Sequence, residues 1–230
     1  MRLLCCDTSN STCCAGIYED GRELSYELSF EKKTHSETFM PLVMRVLDNA
    51  SLKISDMDAI AVTVGPGSFT GIRIGLSAVK GMSLASSVDV IPVSALKALA
   101  MSVENVVAEA SDTIIVPCFD ARNDRVFAAA YDDATGEVLV PDGAYFNQDF
   151  TDMLKDVPGA GQKQILVVGD GADTVHKALF FSHRVQYASG AVILPKGIDK
   201  AASGITPVNG AAVKASYCAV SRAERYKNES

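Results

Sequence analysis

An internal repeat restricts the fold of this chain more than any other feature. The run Ala15-Gly16-Ile17-Tyr18-Glu19-Asp20-Gly21-Arg22-Glu23-Leu24 has a counterpart in Ala129-Ala130-Tyr131-Asp132-Asp133-Ala134-Thr135-Gly136-Glu137-Val138-Leu139. Further on, Val64-Gly65-Pro66-Gly67-Ser68-Phe69-Thr70 is mirrored by Val168-Gly169-Asp170-Gly171-Ala172-Asp173-Thr174. Similar turns at similar offsets imply one supersecondary unit used twice. The fold must therefore supply two like lobes within 230 residues.

The first copy reads clearly. Residues 2–6, 12–18 and 22–29 carry strand patterns, and Asp20-Gly21 between two of them signals a hairpin. A helix follows, capped by Thr34 or Ser36, with Pro41 expected in or near its first turn. Its apolar stripe is Phe39, Leu42, Val43, Val46, Leu47 and Ala50, widened by Met40 and Met44. A buried strand over 58–64 runs into the Gly-rich loop, then a helix over about 72–86. A strand over 89–93 leads to Ser94, a helix cap. Antiparallel strands followed by crossover helices predict an α/β fold with mixed sheets and helices on both faces. The second copy is expected as strands over 113–119, 125–131 and 137–140, a helix over 150–157 and a strand over 165–168. The boundary falls in the Glu/Ala/Ser-rich stretch 102–112, giving lobes of 1–105 and 106–230. A terminal helix is expected around 221–226.

Charge and cysteine content narrow the function. Lys plus Arg is 21 against 28 for Asp plus Glu, a net charge of −7, so the chain lacks the basic face that grips a phosphate backbone unaided. No secretory leader and no apolar run of about 20 residues is present, which reads as cytosolic with no membrane partner. Cys5, Cys6, Cys13, Cys14, Cys118 and Cys218 lack zinc spacing and read as small hydrophobes in a reduced compartment. His176 and His183 are too far apart to share a metal on one helix face, and His35 has no neighbouring ligand. No metal and no cofactor is expected.

Each lobe has an Asp at the end of its first strand, Asp7 or Asp120, and a Gly loop after its fourth. Carboxylates so placed hold a metal or water, and Gly loops bring N–H groups to phosphates. This is the plan of the actin, sugar-kinase and Hsp70 superfamily of duplicated RNase H-like lobes. The alternative is that both loops are plain strand-to-helix turns. Gly65, Gly67 and Gly71 match neither the dinucleotide fingerprint nor the P-loop.

The flanks of the first loop are more specific. Gly65-Pro66-Gly67-Ser68-Phe69-Thr70-Gly71-Ile72-Arg73-Ile74-Gly75 closely resembles the hallmark segment of the TsaB family, also called YeaZ. Asp7-Thr8-Ser9, His35-Ser36-Glu37, Pro92-Val93-Ser94-Ala95-Leu96 and Asp120-Ala121-Arg122-Asn123-Asp124-Arg125-Val126-Phe127 extend the likeness. The last resembles a family Asp-Ala-Arg-x-x-Glu-Val-Tyr, with Arg125 standing where Glu is usual.

The resemblance implies a role in making threonylcarbamoyladenosine beside the tRNA anticodon. It implies a non-catalytic subunit that binds a TsaD-type catalytic paralogue, joined by a TsaE-type ATPase, and that reaches tRNA only indirectly. Relatives pair through the first two helices, as heterodimers or homodimers. The expected interface is Met40, Met44, Leu47, Gly71, Gly75, Ala78 and Met82. Asp7, Thr8, Gly65, Gly67, Ser68, Gly71, Asp120, Gly169 and Gly171 are expected as vestigial phosphate-loop positions. The other readings are an active phosphotransferase or ATPase of the same superfamily, for which no triphosphate-neutralising lysine is evident, and a peptidase, for which no nucleophile set is evident. The family's C-terminal Tyr-Leu-Arg stretch is altered, with Ala219 in place of Arg.

Overall fold

The computed structural model describes residues 1–30, 35–103, 113–179 and 184–218. The expected terminal helix, Ala219, Thr34, His183 and most of the expected boundary stretch lie outside the described residues.

The first lobe is built on β1 (Arg2–Asp7), β2 (Cys13–Glu19), β3 (Arg22–Ser29), β4 (Ala59–Thr63) and β5 (Asp89–Val93), in the order β3-β2-β1-β4-β5. Asp20 and Gly21 both take positive φ, 50° and 78°, as a tight two-residue hairpin between right-twisted strands demands. β1 and β4 are buried along nearly their whole length, which fits central strands covered on both faces. α1 (His35–Ala50) and α2 (Phe69–Ser86) cover one face. Their Phe39, Leu42, Val46, Ile72 and Val79 pack with Leu4, Cys6, Ile60 and Val62. Pro41 lies inside α1 as its seventh residue, beyond the first turn, because the helix starts at His35. α2 starts at Phe69, earlier than expected. Ser68 caps it by accepting the Gly71 N–H at 3.2 Å. Ser94 caps α3 (Ala95–Ser102) in the same way, as expected.

The second lobe repeats the plan with β6 (Thr113–Arg122), β7 (Arg125–Asp132), β8 (Val138–Phe146), β9 (Gln164–Val168) and β10 (Val185–Ala188), in the order β8-β7-β6-β9-β10. In each sheet the first strand pairs antiparallel with the second and parallel with the fourth. The duplication is thus complete at the level of topology. α4 (Asn147–Lys155) and α5 (Ala172–Ala178) share a core with Ile114, Val116, Val126 and Val167. α4 begins three residues before the expected helix and ends before it, because β8 runs on to Phe146.

One part of the chain returns to the first lobe. The segment Ala191–Ala215 groups with β1–β5 and α1–α3, although the sequence reading assigned it to the lobe 106–230. It carries α6 (Pro195–Ala202), an element the sequence reading did not identify. α6 packs on α3 and across β1 and β2, opposite the α1–α2 face. Gly16 makes this possible, since a Cβ there would sit 2.6 Å from the Pro195 Cβ. A second tie is the antiparallel bridge between Val90 and Val208 at the β5 edge.

Candidate functional site

The end of β1 and the loop after β4 form one tightly bonded unit. Asp7 is fully buried. It lies one residue past the Cys6–Val62 pair, beside Thr63. Its Oδ1 accepts from the Ser9 N–H at 3.0 Å, the Ser9 hydroxyl at 2.6 Å and the Thr63 hydroxyl at 2.5 Å. Its Oδ2 has no hydrogen-bond partner among the described residues. Burial pushes the carboxyl above its ordinary value, opposed in part by those hydrogen bonds.

The Gly loop is filled by the chain itself. The Ser9 carbonyl accepts the Ser68 N–H at 2.7 Å, at the N-cap of α2. A Cβ at Gly67, where φ is 150°, would overlap that same carbonyl. A Cβ at Gly71 would overlap the Thr8 carbonyl oxygen, and one at Gly75 the Thr8 hydroxyl. Thr8 Oγ1 donates to the Gly71 carbonyl at 2.8 Å. These glycines therefore admit the Thr8–Ser9 turn, which packs directly against the loop and the start of α2. The Gly65 carbonyl accepts the Ala95 N–H at 2.8 Å, tying the loop to the start of α3.

In the second lobe the expected equivalence of Asp120 with Asp7 does not hold. The last β6–β9 pair is Pro117 with Val168, so Asp120 lies two residues beyond the point where Asp7 sits in its own lobe. β6 simply continues further than β1. Asp120 is exposed; its N–H donates to Asp170 Oδ1 at 3.0 Å and its Oδ1 accepts the Arg122 N–H at 2.7 Å. Gly169 takes φ 102°, and a Cβ at Gly171 would stand 3.0 Å from the Phe119 carbonyl carbon. Here too the glycine serves a close approach of the chain to itself. The hairpin tip Arg122, Asn123 and Asp124 takes three consecutive positive φ values, which the Asn147 side chain helps hold by donating to Asp124 Oδ1 at 2.7 Å. Arg122 faces Arg125, whose guanidinium stands 4.3 Å over the Phe146 ring.

The α1–α2 face carries the exposed apolar surface of the first lobe's helices. Met40 and Met44 are exposed on α1, and Ala78 is half-buried in a groove of about 550 Å³ between the two helices. Other expected interface residues are not on this surface. Leu47 and Met82 belong to the core, because the broad apolar stripes of both helices close over β1 and β4. Gly71 and Gly75 are covered by Thr8. Residues outside the expected set take their place. Phe69, Arg73, Ser77, Gly81 and Leu84 are all exposed and form one stripe at helical spacing. Leu84 is 86% exposed. The Arg73 guanidinium stacks on the Phe69 ring at 3.6 Å. An outward Leu in a helix of otherwise inward aliphatics was the available signal.

Among the described residues no group of three His, Cys, Asp or Glu could hold an ion. His35 Nε2 donates to the Asn10 carbonyl at 2.6 Å, and His176 stacks on Tyr187. Cys5, Cys6 and Cys14 are buried with their thiols pushed far up by desolvation, and Cys13 is pushed up to about 12. Among the described residues no helix is long and apolar enough to cross a membrane.

Known proteins resemble this chain in sequence and fold. The family described as TsaD, tRNA N6-adenosine threonylcarbamoyltransferase, matches residues 29–193. The tRNA threonylcarbamoyladenosine biosynthesis protein TsaB of Bacillus subtilis is 35% identical over 158 residues, 68% of this chain and 67% of that protein. The protein of the same name in Escherichia coli is 31% identical over 132 residues, 57% of this chain and 55% of that one. The match therefore spans about two thirds of the first relative's length and about half of the second's. Among solved structures, YeaZ of Pseudomonas aeruginosa superposes with a TM-score of 0.78 at 25% identity, covering 94% of this chain and 99% of that one. With the hallmark loop, the duplicated topology and these relatives in agreement, the chain belongs to the TsaB (YeaZ) family and carries a TsaD-type domain.

Proposed function

We propose that this chain serves tRNA threonylcarbamoyladenosine biosynthesis as a non-catalytic subunit that binds a TsaD-type paralogue through the α1–α2 face. One observation carries the non-catalytic part: the Ser9 carbonyl and the Thr8 side chain fill the Gly67–Gly75 loop and consume the Ser68 N–H. The partner part is supported by the exposed Phe69–Arg73 stack and Met40 around one groove, with Met44 and Leu84 also exposed on the same two helices. Aromatic, Met and Arg side chains of this kind are enriched at interfaces. The net charge of −7 supports contact with tRNA through the paralogue rather than directly. A TsaE-type ATPase joins the assembly, and a homodimer through the same face competes with the heterodimer.

Two measurements test the reading. Calorimetric titration of the isolated chain with ATP and magnesium should give no binding heat. Reconstitution with the paralogue of the same organism should give tRNA modification only when both chains are present. ATP hydrolysis or threonylcarbamoyl transfer by the chain alone, abolished by Asp7→Ala, would put an active phosphotransferase or ATPase in its place.

A further inference from the structure

Asp7 is a buried acid that the proposed role leaves without work. A buried carboxyl with one unpartnered oxygen costs stability, and an apolar residue in the core would not incur it. Nor does α2 need it as a cap, since Ser68 already fills that place. What Asp7 does hold is the turn after β1. Two of its three donors come from Ser9, and the third, Thr63, anchors it to β4. That turn in turn grips the first part of α2 at two points. Ser9 accepts from Ser68, and Thr8 donates to Gly71. Between and just beyond those points stand Phe69, Thr70 and Arg73, which line the exposed groove.

We propose that Asp7 is a positioning residue for the partner surface, fixing the start of α2 through the Thr8–Ser9 turn so that Phe69 and Arg73 are presented in one arrangement. The proposal rests on the reading of the α1–α2 face as the partner surface. Its physical basis is preorganisation: an interface anchor held rigid before binding loses less freedom on binding. The carboxyl position that could have held a metal or a water is thereby turned to holding a helix.

The experiment pairs hydrogen exchange of the isolated chain with affinity for the TsaD-type paralogue. Asp7→Ala should speed exchange of the amides at 68–75 and weaken binding about tenfold or more, equivalent to about 1.4 kcal/mol. Thr63→Val, a milder change that leaves the carboxyl in place, should shift both readouts in the same direction. Asp7→Asn keeps an oxygen for the three donors and should restore both. Leu154→Ala in the second lobe serves as the control, lowering stability without touching either readout. Parent-like exchange over 68–75 in Asp7→Ala overturns the proposal. So does faster exchange with unchanged affinity, or equal loss of affinity in Leu154→Ala. If the parent chain itself does not bind the paralogue, the partner reading falls, and the exchange data alone decide the clamp.

Discussion

At the scale of single residues, the glycines of the hallmark loop are explained by what touches them. Gly71 and Gly75 face Thr8 so closely that a methyl group has no room. Gly75→Ala should therefore destabilise the protein by about 1–3 kcal/mol, the usual cost of overpacking, as read by chemical denaturation. A change within about 0.5 kcal/mol would show that the turn yields easily. Asp7 makes a second residue-scale prediction. Its pKa is raised in the folded state by burial. The protonated form is thus favoured on folding, so its contribution is fully present below the ordinary Asp range and is lost as pH rises through the raised value. Asp7→Asn lacks this titration. Relative to the parent it should gain stability as pH rises, by at most about 1.4 kcal/mol per pH unit. Parallel stability–pH curves for the two proteins would refute a raised Asp7. The Gly spacing and the Asp were legible in the sequence. Their purpose was not, because Thr8 and Gly71 meet only after 63 residues of intervening chain have folded.

At the scale of elements, α1 and α2 show what a pattern can and cannot say. The apolar stripe of α1 and the small-residue edge of α2 were evident, and both helices formed where expected, with α2 starting early at its Ser68 cap. Which edge of each stripe faces the sheet was not evident. Leu47 and Met82 went into the core while Phe69 and Leu84 stayed outside. A wide apolar face fits several rotations about the helix axis, and only the sheet beneath selects one. The exposed edge can be tested directly. Leu84→Arg should leave thermal stability nearly unchanged, since the side chain packs on nothing, and should abolish co-elution with the paralogue. Intact co-elution would move the partner surface elsewhere. The β6–β7 hairpin is the opposite case. Its flanking strands were visible, but its three left-handed residues are held by Asn147 from the next helix, and Arg122 pairs with Arg125.

At the scale of the whole molecule, the duplication was legible because it is written in local signals repeated at matching offsets. Both sheets follow one strand order and one pattern of directions. The assignment of 191–215 was not legible. α6 returns from the far side of the second lobe's sequence to cover the face of the first sheet that Gly16 leaves open. A chain ending at Gly190 should accordingly lose the cooperative melting of its first lobe, followed by circular dichroism. A cooperative transition within a few degrees of the parent would mean that α6 is dispensable. The sequence by itself determined the succession of strands and helices in the first lobe, the hairpin turn at Asp20–Gly21 and the Ser94 cap. Each of these is settled by residues a few positions apart. Tertiary structure alone decided that the Thr8–Ser9 turn packs on the Gly loop, that Asp120 is exposed where Asp7 is buried, and which helix edge meets solvent. Those outcomes depend on register and close packing between segments distant in sequence, where neither partner carries a local mark of the other.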